Sequence, residues 1–245
     1  MRITLLLLAS LLKAADLPTA ETLLDRFVEA TGGKAAYSQL KSQITRTEIE
    51  FVGAGIKGTN TSLNVYPNRA HTTMELTGLG KMFSGNWDGN VWESSAIQGQ
   101  RLVTGAERSM MLRLTDIRAA ADWCKYYASV TTEAEETVDG QVCYRIVSTP
   151  KDGGKPETSW ILKDSGLVYR TRMTLVTQMG EIPMEVTVSE YRKVGPFLLP
   201  HVSNQQVGPQ KIASKVKEIL YDTAIEDAQL EPPAEIKTLI AKEKK

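Results

Sequence analysis

The stretch EATGGKAAYSQL at 29–40 brings two glycines and a lysine together, the residue types of a phosphate cradle. A nucleotide loop needs G-x-x-x-x-G-K-[ST] after a buried strand, so that backbone N–H groups face the phosphates and a hydroxyl holds the metal. Here the first glycine is missing, Ala35 stands where the hydroxyl belongs, and the run before the loop has helical spacing. The loop therefore reads as a hinge between two helices. The chain has two histidines, His71 and His201, each isolated in sequence, and acid–base work would need them to meet across the fold. Its two cysteines, Cys124 and Cys143, are too few for a structural zinc site. In an oxidising compartment they are a possible disulfide; otherwise they are two buried thiols. Asp116, Asp122, Arg113 and Arg118 fall at spacings that read as the solvated face of a helix, and Glu133, Glu135 and Glu136 read as charges that protect a strand edge. Neither G-x-S-x-G nor H-E-x-x-H occurs. The expectation is a protein with no catalytic residues, no metal and no cofactor.

The elements that position these residues change period along the chain. From Thr19, a fair N-cap, Leu23, Leu24, Phe27, Val28 and Ala30 share a helical face up to Gly32-Gly33, and KAAYSQLK predicts a second short helix. From Ser42 the period becomes two, with strand-length runs separated by turns such as YPN at 66–68 and WDGN at 87–90. A helix over 106–126 interrupts them, with Thr104 and Glu107 at capping-box spacing and Met110, Met111, Leu114, Ile117 and Ala121 on its apolar face. Strands then resume, turning at VDGQ (138–141) and DSG (164–166). In LVYRTRMTLV, Leu167, Tyr169, Met173 and Leu175 oppose Arg170 and Arg172; in PMEVTVSEY, Met184, Val186 and Val188 oppose Glu185, Thr187 and Ser189; in KIASKVKEILY, Ile212, Val216 and Leu220 oppose Lys211, Lys215 and Lys217. This alternation predicts an antiparallel sheet with one wet and one apolar face, about 11 strands long and therefore curled, apolar on its concave side. The fold class is α+β, mainly β: an incomplete barrel with N-terminal helices and an inserted, lid-like helix. A short surface helix is expected after Pro232-Pro233.

At 245 residues with 42% hydrophobic and 24% charged, the composition is globular and fits one domain, 16–245. Residues 1–15 read as a signal peptide: Arg2, an apolar run from Ile3 to Leu12, then small residues at Ala14-Ala15. No cysteine follows that run, so the chain is expected in the periplasm or otherwise exported, and not lipidated. Losing Arg2 and Lys13 takes a balance of 29 cations and 29 anions to −2, which offers no footprint for nucleic acid.

Taken together, LLDRFVEATGGKAAYSQLKS, NWDGNVW, VDGQVCYRI, DSGLVYRTRM, VSEYRKVGPFLLPHVS and ILYDTAIEDAQLEPP resemble the outer-membrane lipoprotein-sorting proteins of the LolA/LolB-like superfamily, over nearly the whole mature chain. The resemblance implies an incomplete barrel around helices, closed by a helical lid, with an apolar cavity for acyl chains. It implies a soluble carrier of lipid or lipidated protein, with a donor or acceptor protein in the envelope as partner, acting as a monomer. The alternative is a non-catalytic structural or interaction module of the envelope with a filled cavity. Residues suited to line a cavity for variable chains are Met82, Phe83, Trp87, Trp92, Met110, Met111, Leu114, Trp160, Tyr169, Met173 and Met184, since thioethers adapt and each buried methylene gains about 0.8 kcal/mol. By position, Arg46 is the residue that would hold the lid.

Overall fold

The computed structural model describes residues 17–97 and 99–243; the expected signal peptide at 1–15 lies outside them. The chain begins with helices α1 (Ala20–Thr31) and α2 (Gly33–Gln39). Thr19 caps α1 through its hydroxyl, which accepts from the Thr22 N–H at 3.2 Å. The hinge between them is set by Gly32 at φ 149°, where the Phe197 ring would lie 2.7 Å from any added Cβ. Lys34 is paired with Asp25 at 2.9 Å.

Six strands follow: β1 (Ser42–Val52), β2 (Ile56–Val65), β3 (Arg69–Leu76), β4 (Gly80–Trp87), β5 (Asn90–Ser95) and β6 (Gly99–Val103). An insertion carries α3 (Gly105–Thr115) and α4 (Trp123–Tyr126). Seven more strands complete the sheet: β7 (Tyr127–Val138), β8 (Gln141–Pro150), β9 (Glu157–Leu162), β10 (Val168–Thr177), β11 (Gly180–Val194), β12 (Phe197–Val207) and β13 (Gln210–Tyr221). The chain then forms α5 (Asp227–Leu230) and α6 (Ala234–Glu243). Two of the anticipated hairpins turn at Asp88-Gly89 and Asp139-Gly140, all four residues with positive φ, as this type of tight turn requires.

All thirteen strands among the described residues form one antiparallel sheet in the order β6-β5-β4-β3-β2-β1-β13-β12-β11-β10-β9-β8-β7. The sheet is not closed: β6 and β7 are its two ends. Glu133, Glu135 and Glu136 do lie on the end strand β7, where they pair with Arg145 and Lys163. Side chains from β3 and from β11, five pairings apart, line one cavity, so the sheet curls and the face they share is concave. One end of the concavity is filled by Val28, Tyr37 and Leu40 from the N-terminal helices and by Ile117, Ala120 and Ala121, packed on Phe197 and Tyr221. Beside it, Ala20 and Leu23 of α1 pack on Ile146 and Ile161.

The structure corrects several expectations. The helix expected over 106–126 stops at Thr115, because the Asp116 carboxylate accepts the Arg118 N–H at 2.9 Å and bends the chain into turns before α4. The Thr104 hydroxyl makes no cap, and Glu107 turns away to Arg101. Two bulges reset the alternation. One, between Val168 and Arg170, leaves Tyr169 outside the pairing with β9; the other, at Arg46/Thr47, puts Ile219 rather than Leu220 in the buried position. The disulfide is not formed: Cys124 is exposed on α4, while Cys143 is buried on β8 with its thiol toward the Gln141 carbonyl. Finally, α6 is no surface helix, since Ile236 and Ile240 are buried against Trp92.

Candidate functional site

The concave face is built from two registered rows. In one, Val186, Gln205, Ile212 and Phe51 succeed one another across β11, β12, β13 and β1. In the other, Thr47, Asn60, Met74 and Met82 run from β1 to β4. Above them lies a half-open cavity of about 600 Å3 whose lining also includes Ile49, Thr72, Val188, His201, Ser203, Ser214 and Val216. No carboxylate, ammonium or guanidinium group is part of that lining. The floor is mixed: aliphatic toward β11 and β13, hydroxyl- and amide-bearing toward β2 and β3. This corrects the expectation of a wholly apolar concave side. Such a volume and such walls suit a small-molecule ligand held mainly by its apolar surface.

A smaller recess of about 180 Å3 shares Thr72 and Met74 with the main cavity and continues past Met82 to Glu93 and Arg101. Arg101 is fully engaged there. Its guanidinium donates to Glu93 at 2.6 Å and 3.0 Å and to Glu107 at 2.6 Å and 2.8 Å. The Glu107 hydrogen bond, with that to Glu93, keeps Arg101 protonated far above its ordinary range.

Helix α3 bridges the mouth, touching β5 on one side and β10 on the other. Near its start, Arg108 donates to the Gly89 carbonyl at 2.9 Å, and Glu107 takes Arg101 of β6. In the middle, the buried Met110 turns to β10, where its sulfur lies 3.5 Å from the Val176 N–H. Toward its end, Arg113 meets Glu157 of β9 at 2.7 Å, with side chains only 7% and 9% exposed. The Tyr127 hydroxyl donates to Glu157 at 2.7 Å and accepts from Arg113 at 3.2 Å. Burial works against the Arg113 charge, but Tyr127 and Glu157 outweigh it and hold the guanidinium above its ordinary value. Burial, reinforced by the Glu157 charge, pushes the Tyr127 phenol well up. Arg118 adds a contact to the Leu40 carbonyl at 2.9 Å and stacks on Tyr66 at 3.7 Å. The cluster read as a solvated helix face is thus partly a buried latch; even the Asp116 side chain is 2% exposed.

The residues proposed as lining separate by face. Met82, Met173 and Met184 lie on the concave side, Met173 directly opposite Met184, and Met110 reaches it from α3. Met111 is half-buried, and Leu114 is 54% exposed, pointing away. The aromatic residues lie on the convex side. Trp92 is fully buried there, under Ile236 and Ile240, with Phe83 and Leu102 beside it. Gly85, its cross-strand partner, leaves the space the indole fills, since an added Cβ would sit 2.6 Å from that ring. Trp87 lies beneath Arg69 at 4.2 Å, and Arg69 is tied to Asp88 and Asp227. Trp160 donates to Glu136 at 2.5 Å and lies under Arg172 at 5.3 Å. Tyr169, displaced by its bulge, donates to Asp139 at 3.0 Å.

Arg46 does not hold α3. It pairs across the strands with Glu218, both side chains nearly half exposed, on the face of β1 opposite to the cavity-lining Thr47 and Ile49. Nor do the histidines meet. His71 is on the convex side, its ring 5.3 Å from Trp92, while His201 lines the concave cavity with Nδ1 3.0 Å from the Leu199 carbonyl. Burial lowers the His71 pKa, with a hydrogen bond to the Leu230 backbone pulling the other way. Sequence reasoning missed the Arg113–Glu157–Tyr127 latch and the polar row around Asn60; Arg113 on the same helix as Met110 was the one visible hint.

No family model and no curated protein matches the chain by sequence. Solved structures do match in shape. A DUF1329 family protein from Desulfovibrio piger superposes with a TM-score of 0.59 at 15% identity, over 86% of this chain and 96% of that one. A LolA superfamily protein from Nitrosomonas europaea gives 0.58 at 10% identity, over 88% and 99%. A domain from Vibrio parahaemolyticus, assigned to the outer membrane lipoprotein-sorting proteins, gives 0.53 at 12% identity, over 86% and 97%. With an open antiparallel sheet curled around helices and a helix across its mouth, the chain has the LolA/LolB-like fold.

Proposed function

We propose that this protein is a carrier of hydrophobic ligands in the cell envelope, holding the acyl chains of a lipid or lipidated protein in the concave cavity and doing no covalent chemistry on them. The observation that carries the reading is the groove of about 600 Å3 on the concave face, whose lining has no carboxylate, ammonium or guanidinium group. An acyl chain needs no directional partner, and aliphatic and thioether side chains accept chains of differing length. The lipoprotein-sorting assignment of a protein with the same fold favours the same class of cargo, as does the exported character read from residues 1–15. The two histidines lie on opposite faces of the sheet and so do not form an acid–base pair.

The test is solvent extraction and mass spectrometry of the mature protein, purified from an exported preparation without detergent. It is paired with uptake of N-phenyl-1-naphthylamine and its displacement by methyl oleate. Bound acyl species, and displacement lost in Val186→Trp, which fills the groove, are the expected result. A lipid-free protein that takes up no probe would overturn the carrier reading in favour of an interaction module.

A further inference from the structure

The polar part of the groove constrains what the cargo carries besides hydrocarbon. On the concave side of β2 and β3, Asn60 Nδ2 donates to the Ser62 hydroxyl at 3.2 Å, which also takes the Thr72 hydroxyl at 3.2 Å. The network ends on Asn60 Oδ1, an acceptor buried from water and without a partner. Across the floor, Gln205 Nε2 contacts Ser203 at 3.4 Å and completes a second neutral pair. A purely hydrocarbon ligand would cover these groups and leave the Asn60 oxygen unpaired, which a buried acceptor resists. An anionic head would find no ammonium or guanidinium group in the lining. Arg101, which lines the adjoining recess, is already shared by two carboxylates, so that end of the groove carries net negative charge.

We propose that the cavity selects an acyl lipid whose polar part is uncharged and bears a hydroxyl, with Asn60 Oδ1 accepting the hydrogen bond, and that it discriminates against anionic lipids. This rests on the carrier reading and names its ligand class. The aliphatic side of the floor holds the chain. The Asn60–Ser62–Thr72 row takes the hydroxyl-bearing end, and Glu93 with Glu107 repels phosphate at the recess beyond.

The experiment compares, on delipidated full-length mature protein, displacement of N-phenyl-1-naphthylamine by 1-monooleoylglycerol, methyl oleate and oleoyl-lysophosphatidylglycerol, each below its aggregation threshold. These share one acyl chain and differ in donor and charge. Monooleoylglycerol is expected to bind about tenfold more tightly than either of the others, the size of one buried hydrogen bond with a matched donor. Asn60→Leu should reduce it to the level of methyl oleate and leave methyl oleate unchanged. Should Asn60→Leu fail to fold by circular dichroism, Asn60→Ser, which keeps polarity but withdraws the oxygen, reads the same difference. Equal binding of the three ligands, or tighter binding of the phospholipid, overturns the selectivity while leaving the carrier intact. Displacement by none of them overturns the carrier reading itself.

Discussion

The two faces of the sheet bury apolar side chains to different ends. On the convex side of β3 to β5, Trp92 and Phe83 are sealed by α6, which the chain folds back over them, and the His71 ring packs edge-on against both. On the concave side, Val186, Ile212, Ile49 and Met74 face a groove left half open. Rigid aromatic rings fill a space of fixed shape, as the fit of Trp92 over Gly85 shows. The open groove is floored mostly by methionine, aliphatic and small polar side chains, with Phe51 as its one large ring, and such a floor tolerates an occupant of variable shape. The lesson is that the tryptophans of β4 and β5 mark a part of this molecule that is finished, and the methionine and aliphatic floor the part that awaits a ligand.

The strongest way to break that contrast is Trp92→Ala. Removing a fully buried indole should cost about 5 kcal/mol of unfolding free energy, the top of the range for aromatic truncation. Urea unfolding measures it, and displacement of the naphthylamine probe by methyl oleate should persist wherever the variant stays folded. A loss of ligand binding in a folded Trp92→Ala protein would mean that the two faces are one site. Next in size is Arg113→Met, which leaves the buried Glu157 charge with the Tyr127 hydroxyl but without its counter-ion and should cost about 3 kcal/mol. Adding Glu157→Met should recover most of that, because two apolar side chains replace a desolvated pair; a double variant no more stable than the single one would show that Arg113 acts through packing alone. The smallest effect belongs to Arg46→Ala. Its exposed pair with Glu218 is worth about 0–1 kcal/mol, and ligand binding should be untouched. A large binding defect there would restore Arg46 to the role its position in sequence suggested.

Local structure was readable where a residue's own chemistry decides the backbone. Thr19 and Gly32 bound the first helix, Asp88-Gly89 and Asp139-Gly140 make their turns, and β11 alternates Met184, Val186 and Val188 against Glu185 and Thr187 as its sequence suggests. A period of two says which residues share a face but not which face becomes concave. That is why Phe83, Trp87 and Trp92 were grouped with Met82. Bulges are the second obstacle: one extra residue at Tyr169 and another near Lys217 invert every assignment beyond them, and neither carries a glycine to announce it. The burial of Arg113 depended on Glu157, more than forty positions away on another element, and no local pattern links them.

The strand order also shapes how the molecule assembles. Every neighbouring pair in the sheet is consecutive in the chain except β1 with β13, whose Arg46 and Glu218 are 172 positions apart. Each half is therefore a meander of hairpins that can zip from its own turns, with little loop entropy to overcome at any step. The central seam cannot form that way. It requires two largely built halves to find each other, so β1–β13 pairing is the expected slow, late event of folding, and the groove, whose floor crosses that seam, exists only after it closes.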